Sequence, residues 1–327
     1  MAIIAIDLGG TNIRFGLAES EAEPLCEIVV MACADFPSID DAINSYIDSL
    51  PKGLARDINA VCIAVAGPVF DDWIDITNNN WQFSKSALMQ SLGVERLMVI
   101  NDFIAQALAQ TSPDCPGNVL IKNGICNTDA PLLVIGPGTG LGVAALKQTP
   151  YGAMPIEGEG GHIYYTPRND HERHLEDFLR KEIGFVSAEH IISGGGLENI
   201  YRFLCHHNQV AYDHKTAVDI GDAAVNSNGR ERQAVFMMLE SLATVMVNNI
   251  ITMGCWQGAV IAGGIVPRFE HLLSESQFFE RFLDAGVLSE TFTDLPIWLG
   301  TAQYLGLEGA REALKNPYLK HQLMTKS

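Results

Sequence analysis

The sequence predicts an α/β protein built as two domains, and three observations lead there. Apolar runs of strand length, among them Ile3–Ile6, Ala60–Ala66, Leu132–Ile135 and Ala259–Ala262, alternate with stretches of helical spacing. Both halves open on one plan of apolar run, glycine turn and second apolar run, as IAIDLGGTNIRFGLA near the N-terminus and as LVIGPGTGLGVAAL in the middle. At 327 residues the chain has the length for two cores rather than one.

The elements follow in order. Ile3–Ile6 is a buried strand stopped by Asp7 and the turn Gly9–Gly10–Thr11–Asn12, and Ile13–Ala18 leads away from it. Leu25–Ala32 is a third strand. Ile39, Ala42, Ile43, Tyr46, Ile47 and Leu50 give helical spacing over Ser38–Leu50, with Pro51 and Gly53 as the stop. Ala60–Ala66 suits a strand buried on both faces, broken at Gly67–Pro68, and Asp71–Thr77 is a short strand before the polar Asn78–Trp81. Ser84 caps a helix through Leu92 that Gly93 closes. Arg96–Ile100 is a strand that runs into Asn101–Asp102, with a helix over Phe103–Gln110. Pro, Gly, Asn and Asp enrich Thr111–Asp129, the expected crossing between domains.

The second half continues with strands Leu132–Ile135 and Leu141–Leu146, the loop Ile156–His162 and a helix over His171–Ile183. Ser187–Glu189 opens a short helical turn, Gly194–Gly196 precede a helix over Leu197–His207, and Arg230–Met253 is a long helix. Strand Ala259–Ala262, helix Ile265–Leu273, strand Ile297–Leu299, an amphipathic helix over Ala302–Leu314 and a polar tail complete the chain.

A net charge of −18 argues against general binding to nucleic acid or anionic membranes, yet leaves room for a nucleotide held by backbone amides and a metal ion. No apolar run is long enough to span a bilayer, and Ile3–Ile6 is too short and too closely followed by Asp7 to serve as a signal peptide. Seven scattered cysteines without a CxxC pair point to reduced thiols in a cytoplasm. In Cys205–His206–His207 the side chains diverge on a helix, which disfavours a metal.

Three glycine turns each follow an apolar strand: Asp7–Asn12, Gly136–Gly142 and Gly263–Ile265. None carries the lysine of a P-loop or the spacing of a dinucleotide fold. Phosphate would then be held by backbone N–H groups, the hydroxyls of Thr11 and Thr139, and a divalent cation that Asp7 contacts through water. The competing reading makes Asp7 a turn-stabilising acid in a plain hairpin. Asn101–Asp102 ends a strand and opens a helix, a position suited to aligning an acceptor hydroxyl and taking its proton; Asp102 as a plain helix cap is the alternative. Glu159 and His162, in a loop with Gly158, Gly160 and Gly161, and Glu189 beside Ser187 are polar contacts for a polyhydroxy compound or else solvated and capping side chains.

Seven segments, DLGGTN (7–12), TNNNW (77–81), INDF (100–103), GPGTGLG (136–142), GEGGH (158–162), SAEHIISG (187–194) and AGGIVPRF (262–269), fall in the order found in bacterial glucokinases. Over nearly its whole length the chain resembles the ATP-dependent glucokinase family of proteobacterial type. The resemblance implies a two-domain actin-like, ribonuclease H-like ATPase fold with a central cleft. A small domain would span residues 1–110, completed by a returning C-terminal helix in 302–327, and a large domain residues 111–301. It implies phosphorylation of D-glucose to glucose 6-phosphate by ATP and Mg²⁺, in a cytoplasmic homodimer. Asp102 would be the catalytic base, with Asn101, Asp102, Glu159, His162 and Glu189 on the sugar. Asp7, Gly9, Gly10, Thr11, Asn12, Gly136, Gly138, Thr139 and Gly140 would hold the ATP phosphates, and Gly263 and Gly264 would lie near adenosine. No cysteine follows His162 until Cys205, so the zinc of the related repressor/kinase group is not expected. Pro137 stands where the family has a small residue and leaves the second phosphate loop one N–H short. A kinase of another hexose or amino sugar, or a non-catalytic sugar-binding regulator, are the competing readings; the acidic charge disfavours a DNA-binding one.

Overall fold

The structure, a computed structural model, describes residues 1–51, 53, 58–67, 69–76, 80–110 and 118–326. Pro68, the Thr77–Asn79 part of the TNNNW segment and the 111–117 part of the expected crossing lie outside them. The chain forms two compact units. Unit 1 contains Met1–Gly117, Gln148–Ile156 and Ala302–Ser327, and unit 2 contains Asn118–Lys147 and Glu157–Thr301.

Unit 1 begins with β1 (Ala2–Leu8), β2 (Asn12–Ala18), β3 (Cys26–Ala32), α1 (Ile39–Ser49), β4 (Ile58–Val65), β5 (Trp73–Asp75) and β6 (Gln82–Ser84). It continues with α2 (Lys85–Leu92), β7 (Arg96–Asn101) and α3 (Asp102–Ala109). Polar caps set the helix starts. Ser38 accepts the Asp41 N–H before α1, and Ser84 accepts the Ala87 N–H before α2, which ends on Gly93 at φ +67°.

The chain continues, in unit 2 except for the Gln148–Ile156 part of β10 and β11, with β8 (Val119–Lys122), β9 (Leu132–Pro137), β10 (Leu141–Thr149), β11 (Gly152–Gly158), α4 (Asp170–Ile183), α5 (Gly194–His207) and α6 (Ala217–Asn226). After these come α7 (Arg230–Met253), β12 (Gly258–Ile261), α8 (Glu270–Leu273), α9 (Phe278–Leu283), α10 (Ser289–Thr293) and β13 (Ile297–Leu299). The chain then re-enters unit 1 as α11 (Leu305–Lys315) and β14 (Leu323–Thr325). The sequence reading placed all of 111–301 in one block. In the structure Gln148–Ile156 groups instead with unit 1, where Thr149 Oγ1 lies 2.7 Å from Tyr318 Oη and Asn316 Nδ2 donates to the Ala153 carbonyl at 2.8 Å.

The sheet of unit 1 has the order β14-β7-β4-β1-β2-β3. β1 runs antiparallel to β2 and parallel to β4, which is parallel to β7. One face carries Ile4, Ile6, Leu8, Val61, Ile63, Val65, Leu97 and Val99, packed with Ile39, Ile43 and Tyr46 of α1. The alternate residues Ala5, Ala60, Cys62 and Ala64 are small and fully buried. Helix α11 packs on β1 and β4 and against α3. The α11–α3 contact depends on Gly309, where a Cβ would sit 1.7 Å from the Ala105 carbonyl oxygen. Gly309→Ala is expected to lower stability by about 1–3 kcal/mol, as overpacking does; a urea melt of the purified variant measures it.

The second six-stranded sheet, ordered β11-β10-β9-β12-β13-β8, repeats the plan. β9 is antiparallel to β10 and parallel to β12, which is parallel to β13. The matching sequence openings of the two halves therefore build the same three-strand arrangement in each unit. Helix α7 has the expected bounds. Counted as a helix rather than an unbroken apolar run, it is long and apolar enough to cross a membrane, but most of its apolar window is buried inside the protein.

Several boundaries differ from expectation for local reasons. Helix α5 starts at Gly194 rather than Leu197, because the Ser193 hydroxyl accepts the Gly196 N–H and draws all three glycines into the first turn. Helix α11 starts at Leu305 rather than Ala302, since Tyr304 adopts a left-handed conformation at φ +65° that no helix propagates. The stretch Ile265–Leu273 is a 3₁₀ turn over Val266–Phe269 followed by α8. The polar tail ends in β14, paired antiparallel with β7.

On α4 and α5, His171 lies with its ring centroid 5.0 Å from that of His207, and His174 lies 5.8 Å from His207. Burial, then His207 and His174, push the His171 imidazole below its ordinary range, against a smaller opposing pull from Glu172. The unfolded chain therefore binds this proton more readily, so stability is present above a pH of about 6.5 and is lost as pH falls below it. Thermal melts at descending pH are expected to show this loss, and His171→Asn should flatten the slope.

Candidate active site

In unit 1, three parallel strands bring the candidate residues to one edge. Leu8 is in register with Val65, and Val65 with Asn101, so β1, β4 and β7 end side by side. Asp7 and Asn101 thus stand about 10 Å apart, two strand spacings. The turn after β1 is tight, with the Gly9 N–H donating to the Asn12 carbonyl at 3.0 Å and the Thr11 carbonyl accepting from Cys33 N–H at 2.9 Å. Gly9 therefore spends its N–H inside the turn. Thr11 is exposed at the tip.

Asp7 faces Arg14 across the β1–β2 pair, and Arg14 Nη1 donates to Asp7 Oδ2 at 2.9 Å. Burial pushes the Asp7 carboxyl upward, while the Arg14 charge and its hydrogen bond pull against that. Arg14 has a sequence signal only in hindsight: a four-residue turn Gly9–Asn12 dictates that 7 pairs with 14.

The cap of α3 is Asn101, not Asp102. Asn101 Oδ1 accepts from the N–H groups of Phe103 at 2.8 Å and Ile104 at 3.2 Å, and its Nδ2 donates to the Gly67 carbonyl at 3.2 Å. Both ends of this amide are thus engaged by the fold. Asp102, the first helical residue, is half-buried and accepts the Phe103 N–H on Oδ1 at 3.0 Å. The capping role that competed for Asp102 is taken by its neighbour.

Unit 2 gathers the other candidates. Pro137 belongs to β9, and the turn proper is Gly138–Gly140, closed by the Gly138 N–H donating to the Gly140 carbonyl at 2.8 Å. Thr139 is exposed at its tip, as Thr11 is in the other turn. The turn rests on the start of α5, where the Gly194 N–H donates to the Gly138 carbonyl at 2.9 Å. Gly136 and Gly263 are required by close backbone approach: a Cβ at 136 would lie 2.4 Å from the Ala262 carbonyl oxygen, and one at 263, where φ is +81°, 2.7 Å from that of Pro137. Gly263 and Gly264 accordingly lie beside the second glycine turn, just past the carboxyl end of β12.

Glu189 is tied to the same turn. Its Oε2 accepts the Leu141 N–H at 2.8 Å, and its own N–H donates to the Gly161 carbonyl at 2.9 Å. A side chain at 140 would collide with that carboxylate, its Cβ 2.3 Å from Oε2. Glu159 and His162 flank a turn in which the His162 N–H donates to the Glu159 carbonyl at 3.0 Å. Their side chains are 55% and 59% exposed, with His162 Nε2 3.6 Å from Glu159 Oε2. The turn packs onto β10 through Gly161, where a Cβ would lie 1.9 Å from the Leu141 carbonyl oxygen. One strand start, Leu141, thereby organises the Gly138–Gly140 turn, Glu189 and the Glu159–His162 turn together.

For a divalent cation the donor set is sparse. Among the described residues no group of three or more His, Cys, Asp or Glu could enclose a metal. Such a set suits an ion like Mg²⁺, which keeps most of its waters and binds through one carboxylate and substrate phosphates. Asp7 is the residue that would hold it.

A family model described as "Glucokinase" matches residues 4–317. A glucokinase of Ralstonia nicotianae is 39% identical over 326 residues, covering 94% of this chain and 93% of its own. The solved glucokinase of an Antarctic psychrotroph superposes with TM-score 0.82 at 32% identity, covering 96% of this chain and 99% of that one. A ROK family glucokinase from Streptomyces griseus, solved with glucose and AMPPNP, shares the fold with TM-score 0.65 at 19% identity, covering 95% and 98%. These neighbours have the actin-like ATPase fold, and the duplicated hairpin-plus-parallel-strand plan fits it. With the ordered motifs, the paired glycine turns and a match across nearly its full length, the chain belongs to the glucokinase family.

Proposed function

We propose that this protein transfers the γ-phosphoryl group of ATP to the 6-hydroxyl of D-glucose, with Asp102 as the general base. The observation that carries the reading is the position of Asp102, an acid at the carboxyl edge of the parallel strands whose capping duty Asn101 performs instead. The 6-oxygen attacks the γ-phosphorus in line, the bond from that phosphorus to the bridging oxygen of ADP breaks, and the hydroxyl proton passes to Asp102. Mg²⁺ bound to the phosphates would neutralise their developing charge, with Asp7 as its protein contact.

The backbone of Gly10–Asn12 and the turn Gly138–Gly140, with the hydroxyls of Thr11 and Thr139, would cradle the phosphates, and Gly263–Gly264 would border adenosine. Glu159, His162 and Glu189 would receive the sugar hydroxyls; Asn101, whose Nδ2 keeps a second N–H beyond the one given to Gly67, would contact the sugar while placing Asp102. The two units would act as the family's small and large domains. Six free cysteines among the described residues support a reducing cytoplasm. A homodimer is expected from the family resemblance, and light scattering would test it. The test of the activity is a coupled ADP-release assay over a panel of hexoses and amino sugars. Glucose should give the highest kcat/KM, and ATP turnover indifferent to every sugar would overturn the assignment.

A further inference from the structure

Helix α11 contributes no side chain to the site described above, yet its first turn lies directly on Asp7. A Cβ built on Gly306 would stand 2.6 Å from Asp7 Cγ and 2.9 Å from each of Oδ1 and Oδ2. Equal approach to both oxygens, slightly longer than to the carbon between them, is what a point above the centre of the carboxylate plane gives for C–O bonds of about 1.23 Å. The carboxylate therefore lies flat against Gly306. Arg14 meets the same group differently, through one hydrogen bond to Oδ2. Among the described residues Oδ1 takes no hydrogen bond. Two independent contacts thus define the carboxylate: Arg14 selects the oxygen it occupies, and Gly306 sets the plane. Turning the group about its Cβ–Cγ bond would raise one oxygen by about 1 Å toward the first turn of α11. Gly306 is buried, and the Asp7 side chain is only 14% exposed, so neither can relax outward.

We infer that Gly306, with Arg14, is a positioning residue for phosphoryl transfer: it holds the Asp7 carboxylate flat so that Oδ1 stays available to the cation of the bound nucleotide. This rests on the proposed role of Asp7 in that function. Gly306 acts through Asp7, and it carries its effect from a helix more than 290 residues further along the chain.

The test is a double-mutant cycle of Gly306→Ala and Asp7→Ala in the full chain. It is read by kcat, by KM for ATP and for glucose, and by the affinity for Mn²⁺ measured by electron paramagnetic resonance in the presence of ADP. Gly306→Ala is expected to lower kcat and Mn²⁺ affinity by at least about tenfold, as sub-ångström misplacement of a catalytic group does, with KM for glucose unchanged. In the Asp7→Ala background, where nothing remains to be displaced, the same substitution should cost nothing further. An equal loss in both backgrounds would reduce Gly306 to a packing residue and overturn the inference, as would unchanged Mn²⁺ affinity in the single variant. Should Gly306→Ala fail to fold, Arg14→Gln decides. Removing a competing positive charge alone would tighten Mn²⁺ binding, whereas losing a positioning contact weakens it, and Arg14→Lys should restore part of the loss. Wild-type protein that binds Mn²⁺ and ADP as described but transfers no phosphate to glucose would sink the proposed function, while the Mn²⁺ affinities of the variants would still decide whether Gly306 orients Asp7.

Discussion

Replacing Asp102 by alanine is expected to lower kcat for glucose phosphorylation by about a thousandfold, within the range general-base removal produces. The fold should survive. The first turn of α3 is capped by Asn101, whose Oδ1 accepts two backbone N–H groups, so loss of the Asp102 carboxylate leaves that cap in place. KM for ATP should change little, because the two glycine turns proposed to hold phosphate are formed by other residues. Asn101→Ala is the instructive contrast. It removes the cap and the bond to Gly67 together, so it should lower both melting temperature and activity, where Asp102→Ala lowers activity alone. Steady-state kinetics beside thermal melts separate the two, and a melt depressed equally by both would contradict the division of labour.

Gly161→Ala is expected to be the most damaging change for sugar binding. Its Cβ would fall 1.9 Å from the Leu141 carbonyl oxygen, a backbone atom at the start of β10 that cannot swing aside. Either the Glu159–His162 turn lifts from the sheet or β10 shifts. Both disturb the proposed sugar contacts, because the Gly161 carbonyl accepts the Glu189 N–H and the Leu141 N–H donates to Glu189. KM for glucose should rise by at least about a hundredfold, the scale on which ångström displacements act. Isothermal calorimetry with glucose alone measures this without reference to ATP. Undiminished glucose affinity would show that Glu159, His162 and Glu189 lie outside the sugar site.

Much of this was legible in the chain itself. Caps and stops such as Ser38, Ser84 and Gly93 declare helix ends through chemistry confined to a few neighbouring residues, and the expected helices sit on them. The strand–glycine turn–strand openings were readable for the same reason, being local patterns of period and backbone freedom. Errors cluster where a local signal was absent or was outvoted. The strands β6, β8 and β11 and the helices α6, α9 and α10 were not expected, and β14 emerges from a polar tail only because β7 offers it an edge. The start of α11 at Leu305 hinges on the conformation of one residue, Tyr304, which no spacing announces.

By itself the sequence determined which residues could do chemistry, and in what order they occur. Acids end strands, glycines follow them, and the ordered motifs name the family. Only the tertiary structure decided what each of those groups is free to do. Sheet register put Arg14 opposite Asp7, helix packing laid Gly306 on the same carboxylate, and the cap of α3 fell to Asn101 rather than Asp102. The physical reason is range. Propensity, capping and turn chemistry act over a few residues, whereas the committed hydrogen bonds and close approaches that orient a carboxylate come from segments hundreds of residues apart, and exist only once the sheet and its covering helices have packed.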